Sequence, residues 1–110
     1  MLSQSIERLY LGSVKATKTV VYKVPSTNDK TVIKELAFHN NSTTDSISVK
    51  LYLNDVVLVD TSIAAKDSMF NDREWFTVMN PNDTLSVETG ADDVITLMAN
   101  GVETVIIADA

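Results

Sequence analysis

The stretch Ile47-Ser-Val-Lys-Leu-Tyr-Leu53 alternates apolar and other side chains at every second position. Its four aliphatic residues would share one face of a β-strand, whereas a helix would scatter them around its circumference. Asn54-Asp55 interrupts the pattern and Val56-Val-Leu-Val59 resumes it, so the segment is predicted to form a β-hairpin with a tight turn. This period of two decides the fold class, because the rest of the chain repeats it.

The same alternation recurs outside the hairpin, between loops rich in Asn, Asp, Ser and Pro. The further predicted strands are Ile6–Val14, Lys18–Val24, Thr31–His39, Ser68–Phe70, Glu74–Met79, Thr84–Thr89, Val94–Ala99 and Val102–Ala108. Asn100-Gly101 separates the last two and is predicted to be a two-residue hairpin turn. Asn-Gly favours the positive φ values that such turns require, which makes this pair the most specific local signal in the sequence.

About eight or nine short strands in a chain of 110 residues predict an all-β protein. We expect one domain over residues 1–110, an antiparallel β-sandwich of about eight strands, for which the jelly roll is one topology. The candidate core is the set of apolar residues at in-phase positions: Val20, Leu36, Phe38, Ile47, Val49, Leu51, Leu53, Leu58, Ile63, Phe76, Val78, Leu85, Val87, Ile95, Leu97, Val105 and Ile107.

Composition excludes several classes of function. The chain has no cysteine, which removes disulfides, thiolate metal sites and cysteine nucleophiles. Fifteen acidic residues against nine basic ones give a net charge of −6, which disfavours binding to nucleic acid. The sequence shows no basic segment followed by an apolar stretch at its start, and no apolar run near the ~20 residues of a membrane helix. We therefore expect neither a secretory signal nor a membrane anchor.

Two arrangements of polar residues raise the possibility of catalysis. His39 is the single histidine and would have to act as base or metal ligand without a second imidazole, so a structural role at a strand end is favoured. Glu74 with Glu88, or Asp92 with Asp93, offers the paired carboxylates of a glycosidase. So small a sandwich has little room for the deep cleft that would raise one of their pKa values. We predict no catalytic residue.

Loop residues with oxygen side chains suggest a calcium hypothesis. The pairs are Asn71-Asp72, Asn82-Asp83 and Asp92-Asp93, and hard cations prefer such ligands. The regular spacing of an EF-hand loop is absent, and the turn preference of Asn and Asp explains the pairs without a metal. We predict no bound metal and no cofactor.

Three aromatic rings are candidate contact residues, for a protein interface or for a glycan. Tyr22 and Tyr52 fall out of phase with the apolar face of their strands, or close to it. Trp75 stands beside Phe76, so one of these two rings would lie on each face of its strand. An outward ring on a flat sheet can serve as a sugar platform or as an anchor for a protein partner.

Six segments occur in an order that carries a family resemblance. They are Val20-Val-Tyr-Lys-Val-Pro25, Lys30-Thr-Val-Ile-Lys-Glu-Leu-Ala-Phe-His-Asn-Asn-Ser42, Ser48-Val-Lys-Leu-Tyr-Leu53, Asp60-Thr-Ser-Ile-Ala-Ala-Lys-Asp-Ser68, Met79-Asn-Pro-Asn-Asp-Thr-Leu-Ser-Val87 and Asp93-Val-Ile-Thr-Leu-Met-Ala-Asn-Gly-Val-Glu103. Together they resemble a small β-sandwich module common among the virion proteins of tailed bacteriophages. The chain departs from that pattern at Asn82-Asp83, where the family often has a glycine before the aspartate.

The resemblance implies a non-enzymatic structural component of a bacteriophage particle, placed at the neck, in the tail or baseplate, or on the capsid surface as a decoration. Such a protein would be located in the virion, after synthesis in the host cytoplasm. Its partners would be other virion proteins and further copies of itself, since β-sheet edges and outward rings suit repeated assembly. The alternative is a carbohydrate-binding module on a host-facing appendage, with Tyr52 or Trp75 stacking on a host-surface glycan.

Overall fold

A computed structural model describes residues 2–71 and 75–107, which form nine β-strands. They are β1 (Leu2–Ser13), β2 (Thr19–Lys23), β3 (Asn28–Asn40), β4 (Ile47–Leu53), β5 (Val56–Ile63), β6 (Ser68–Phe70), β7 (Thr77–Met79), β8 (Thr84–Thr89) and β9 (Ile95–Ile106). The all-β prediction is confirmed, as is the hairpin of β4 and β5, whose turn residue Asn54 has φ of 55°. Over the described ranges, no helix exists that is long and apolar enough to cross a bilayer.

The strands form two antiparallel sheets in a sandwich-like arrangement. The four-stranded sheet has the order β2-β8-β4-β5, and the five-stranded sheet has the order β1-β9-β3-β6. β7 also pairs with β3, at Thr31–Ile33, whereas β6 pairs with Ala37–His39, so these two short strands share one edge. When the two strand orders are read side by side, the strands at the same position are neighbours in the chain. These pairs are β1 and β2, β9 and β8, β3 and β4, and β6 and β5.

The core lies between the two sheets and consists of alternate residues from the central strands. Leu36 and Phe38 on β3 and Leu97 on β9 are buried, as are Leu51 on β4 and Leu85 on β8. The remaining predicted core residues that are buried are Val49, Ile63, Val87 and Ile95. Ile47 and Leu53 pack against this core while partly exposed. Burying these side chains is the main stabilising contribution to the sandwich.

Five residues predicted for the core are exposed instead: Val20, Leu58, Phe76, Val78 and Ile107. The error for Val20 and Val78 is one of phase, because a shift of one residue moves a side chain to the opposite face of its sheet. In their place Val14, Val24, Ile33, Met79 and Ala99 are buried. Leu58 is the extra residue where the pairing of β5 with β4 shifts register, so its side chain is turned out of the regular alternation.

The hairpin turn predicted at Asn100-Gly101 is wrong, because β9 runs through both residues without interruption. Gly101 pairs with Glu7 on one side and with Ile33 on the other. A Cβ on Gly101 would collide with the Val32 carbonyl oxygen and would lie 3.1 Å from Leu9 Cδ1. Gly101 therefore allows three strands to approach closely and does not form a turn. No glycine among the described residues has positive φ.

Several strand ends also differ from the prediction. β1 begins at Leu2 rather than Ile6, and β3 begins at Asn28, inside the predicted loop. β7 is confined to Thr77–Met79, and Trp75 and Phe76 precede it. Glu74 and Ala108, the outer bounds of two predicted strands, lie outside the described residues.

Candidate assembly interface

The outer face of the five-stranded sheet carries a row of aliphatic side chains across four strands. Ile6, Val102, Val32 and Val78 lie directly opposite one another on β1, β9, β3 and β7. Residues opposed across an antiparallel ladder point to the same side, and Ile33, next to Val32, is buried in the core. The row therefore faces away from the core, and Ile6 is 87% exposed. We call it the first apolar row.

A second apolar row crosses the same face farther along the strands. It consists of Leu11, Met98, Ala37 and Phe70, opposed on β1, β9, β3 and β6. Phe70 is 71% exposed and Leu11 is 56% exposed. Leu97, Phe38 and Met69, the neighbours of these residues in sequence, pack in or against the core. The outer face thus presents two apolar bands to solvent.

A charged row separates the two apolar rows. Arg8, Asn100 and Glu35 lie in register across β1, β9 and β3, with the cation at one end, the amide in the middle and the anion at the other end. The pairing shifts register next to both charged residues, which indicates β-bulges there. Lys34, the extra residue on β3, places Nζ 5.4 Å from the centroid of the exposed Phe76 ring.

The depressions on this face are shallow and open rather than enclosed. One of about 340 Å³ is lined by residues that include Leu2, Lys30, Val32, Val102 and Thr104. Soluble monomers rarely expose large contiguous apolar patches, and such patches mark sites of association. Contact with another protein would remove these apolar bands from water.

Tyr22 connects the two sheets through its hydroxyl group. Its hydroxyl lies 2.7 Å from Thr31 Oγ1 and donates to Glu103 Oε2 at 3.2 Å. Glu103 also accepts from Asn28 Nδ2 at 2.9 Å. Burial is the main cause that raises the pKa of the Tyr22 phenol above its ordinary value. Tyr22 belongs to β2 of one sheet, and its partners belong to β3 and β9 of the other, so the ring has a structural role in addition to any contact role.

Trp75 packs against the core beside Leu36 and Phe38. It is partly exposed and lines a crevice of about 140 Å³ together with Val59, Met69 and Phe70. Of the two adjacent rings, Trp75 faces the core and Phe76, at 58% exposure, faces solvent. Trp75 stays a predicted contact residue that has a packing role as well.

Tyr52 lies on the outer face of the four-stranded sheet. Its hydroxyl donates to Glu88 Oε1 at 2.8 Å, and Lys18 Nζ stands 4.5 Å from its ring centroid. The cation also pairs with Asp55 at 2.9 Å. Tyr22, Tyr52 and Trp75 thus occupy three separate parts of the sandwich, and the structure does not bring them together into one surface.

We expect Glu88→Gln to lower the pKa of Tyr52. The hydrogen bond to the Glu88 carboxylate is the main cause that holds the pKa of this phenol above its ordinary value, because loss of the phenol proton would leave two anions in contact. A raised folded-state pKa stabilises the fold below the unfolded pKa of about 10, and the contribution is lost as pH rises through the folded value. Absorbance titration of the phenolate will measure the shift, with Tyr52→Phe identifying the signal. An unchanged titration in Glu88→Gln would contradict the contact.

The other polar candidates have local partners. His39 Nδ1 lies 2.7 Å from Ser68 Oγ, and the two residues are paired across β3 and β6 on the outer face. Neither residue lines the depression or the crevice described above. Asp93 pairs with Lys15 at 2.8 Å, and this hydrogen bond lowers the pKa of the Asp93 carboxyl. Within residues 2–71 and 75–107, no three His, Asp or Glu side chains are grouped as a metal site. Asp72 and Glu74 lie outside the described residues.

Sequence reasoning missed the outer face, although a signal was present. Val32-Ile33 and Leu97-Met98 are adjacent apolar pairs, so each pair places one apolar side chain on either face of its strand. A strand with one face in the core and the other in water would have an apolar residue only on the core face. The residues on the second phase form the two rows. Phe70, the most exposed aromatic among them, lies within the correctly predicted strand Ser68–Phe70.

No family model and no curated protein matches the chain. Among solved structures, a protein of Bacillus endospore appendages, described as disulfide-linked pili, aligns with a TM-score of 0.54 and 12% identity over 97% of this chain and 89% of that one. A virus-like particle of the Macrobrachium rosenbergii extra small virus aligns with a TM-score of 0.46 and 12% identity over 99% and 80%. An infectious bursal disease virus particle aligns with a TM-score of 0.40 and 12% identity, over 96% of this chain and 31% of that one. The first likeness supports the all-β fold.

Proposed function

We propose that this protein is a non-enzymatic structural subunit of a bacteriophage particle, at the neck, in the tail or baseplate, or on the capsid surface, and that it assembles through protein–protein contacts. The observation that carries the proposal is the outer face of the five-stranded sheet, where two apolar rows reach solvent. Their outer members Ile6, Val78, Leu11 and Phe70 are exposed, and the members between them are partly exposed. A sheet face intended for solvent is normally polar, because exposed apolar bands invite association. The bacteriophage assignment is supported by the sequence resemblance over residues 20–103.

The topology supports a jelly-roll assignment within this proposal. Jelly rolls consist of two four-stranded sheets that arise from two Greek keys, and they recur in capsid domains. Here strands at corresponding places in the two sheets are consecutive in the chain, as when one long hairpin wraps into a sandwich, and β6 with β7 fills a single strand position. The fold hosts other functions as well, so the exposed rows carry the functional argument.

Assembly of this chain would proceed without disulfide bonds, since it contains no cysteine. Subunits would therefore be held by buried apolar area and by matched charges, both of which the outer face offers. The glycan-binding alternative depends on a free aromatic platform. Tyr52 has its hydroxyl bonded to Glu88 and Lys18 over its ring, and Trp75 packs on the core, so neither geometry favours it.

We expect Ile6→Glu to shift the purified protein from an assembled to a monomeric state. Ile6 is 87% exposed, so a carboxylate there leaves the monomer's fold intact but places an unpaired charge within the buried part of a contact. Size-exclusion chromatography with light scattering measures the mass. The matched control is Val56→Glu, at 63% exposure on the four-stranded sheet, which should leave the mass unchanged. A parent protein that is strictly monomeric and associates with no particle would contradict the proposal.

A further inference from the structure

We propose that the occupant of the outer face is a second copy of this chain, related by a two-fold axis along β9, so that Arg8 of each copy faces Glu35 of the other. The inference rests on the proposed function and names the partner and the register of the contact. It follows from the order of side chains across the face, which is complementary to itself.

The self-complementarity comes from the strand order β1-β9-β3. A two-fold axis parallel to β9 exchanges β1 with β3 and keeps each row at its own height along the strands. Over β1, β9 and β3, the first apolar row of one copy then lies on the first apolar row of the other, and the second lies on the second. Val78 and Phe70, at the fourth strand position, lie beside this overlap. The axis crosses the charged row at Asn100, which lies midway between Arg8 and Glu35. Arg8 of each copy is therefore placed over Glu35 of the other copy.

The overlap of the two copies involves three strands of each. β1 and β9 have 12 residues each and β3 has 13, which corresponds to a length of about 40 Å at ~3.3 Å per residue. Three strands at ~4.8 Å spacing give a width of roughly 10–14 Å, and therefore a projected area of about 400–560 Å². Stable protein contacts bury about 800 Å² per partner, so this overlap places the dimer among the smaller and weaker protein contacts.

Charge favours a second copy on this face over contact elsewhere on the chain. The protein has a net charge of −6, which makes two copies repel in most orientations. Among the described residues, the outer face carries three cationic side chains, those of Arg8, Lys30 and Lys34. It carries two anionic side chains, those of Asp29 and Glu35. The approach of two such faces thus avoids the acidic excess, and the Arg8–Glu35 pairs would form twice, once at each side of the axis.

The decisive experiment mixes two charge-reversal variants. Arg8→Glu places two carboxylates together at each side of the axis, and Glu35→Arg places two guanidinium groups together, so each variant should weaken the dimer by about tenfold or more in sedimentation velocity. In an equimolar mixture, a pair made of one copy of each variant has a carboxylate facing a guanidinium group on both sides of the axis. Association in the mixture should therefore return to near the parent value. The loss in each single variant should diminish at high salt.

Controls separate this register from general effects of charge. Lys23→Glu makes the same change in net charge as Arg8→Glu but lies on the exposed side of β2 in the four-stranded sheet, so it should leave association unchanged. Circular dichroism of each variant checks the fold. Failure of the mixture to recover while Ile6→Glu still abolishes assembly would overturn the two-fold register and leave the proposed function standing. A parent that stays monomeric, or single variants that associate as the parent does, would overturn the inference outright.

Discussion

Replacing Leu51 by alanine is expected to lower the free energy of unfolding by about 2–5 kcal/mol. Leu51 is fully buried on β4, between Val59 of β5 and Val87 of β8, at the centre of the four-stranded sheet. The loss combines the transfer free energy of the three deleted carbon atoms with the cost of a cavity that close-packed neighbours cannot fill. Whole domains are stable by only ~5–15 kcal/mol, so this substitution removes a large share. Urea denaturation followed by Trp75 fluorescence and circular dichroism will measure it.

Leu58→Ala provides the matched control for Leu51→Ala. The chemical change is identical, but Leu58 is 39% exposed at the bulge of β5 and contributes less buried area. We expect it to cost less than about 1 kcal/mol, as substitutions near the surface usually do. Equal losses in the two variants would contradict the assignment of Leu51 to the core and of Leu58 to the surface.

The alternation around Leu51 also explains which parts of the fold could be predicted from sequence. The sequence predicts Ile47–Leu53, Ser68–Phe70 and Thr84–Thr89 with the bounds that the structure shows. In Ile47–Leu53 and Thr84–Thr89 the reason is a local period-two pattern between polar turns. In β8 the pattern also identifies the buried face, since Leu85 and Val87 are fully buried while Glu88 points outward to Tyr52. Local information is sufficient where one face of a strand is apolar and the other polar.

The phase of the other strands could not be read locally, because their second face is apolar too. Val20-Val21 and Val32-Ile33 offer an aliphatic side chain to both sides, and only the register with neighbouring strands shows which one enters the core. The same ambiguity hid the candidate interface, whose rows join residues such as Ile6, Val102 and Val78 from distant segments. The exposed apolar phase is thus both the source of the prediction error and the basis of the proposed assembly.

The polar partners of the predicted contact rings were equally inaccessible from sequence. Tyr22 bonds to Glu103, which is 81 residues away in the chain, and Tyr52 bonds to Glu88, which is 36 residues away. These contacts depend on the pairing of β2, β4, β8 and β9 across and within the sheets. A sequence pattern indicates that a ring is out of phase, but the tertiary fold decides whether its hydroxyl is engaged.

Gly101→Ala is expected to cost about 3 kcal/mol of unfolding free energy, at the upper end of the usual range for overpacking. The new methyl group would meet the Val32 carbonyl oxygen and lie 3.2 Å from Ile33 Cα, and these are backbone atoms of a neighbouring strand that cannot turn aside. Relief would require β3 and β9 to separate where Gly101 is paired on both sides. Gly12→Ala is the control, since its Cβ would meet atoms of the Tyr10 side chain at 3.4 Å or more. Its stability should stay within about 0.5 kcal/mol of the parent.

A loss in Gly101→Ala would also occur if Asn100-Gly101 formed a tight turn, so a second substitution must separate the two structures. Asn100 has no positive φ here and lies in a continuous strand, in which a β-branched residue is favoured. Asn100→Thr should therefore leave stability within about 0.5 kcal/mol of the parent, measured at a concentration where the protein is monomeric. In a two-residue hairpin turn the same change would force a β-branched residue to positive φ and would be strongly destabilising. A large loss in Asn100→Thr would contradict the continuous β9, and with it the rows that cross the outer face.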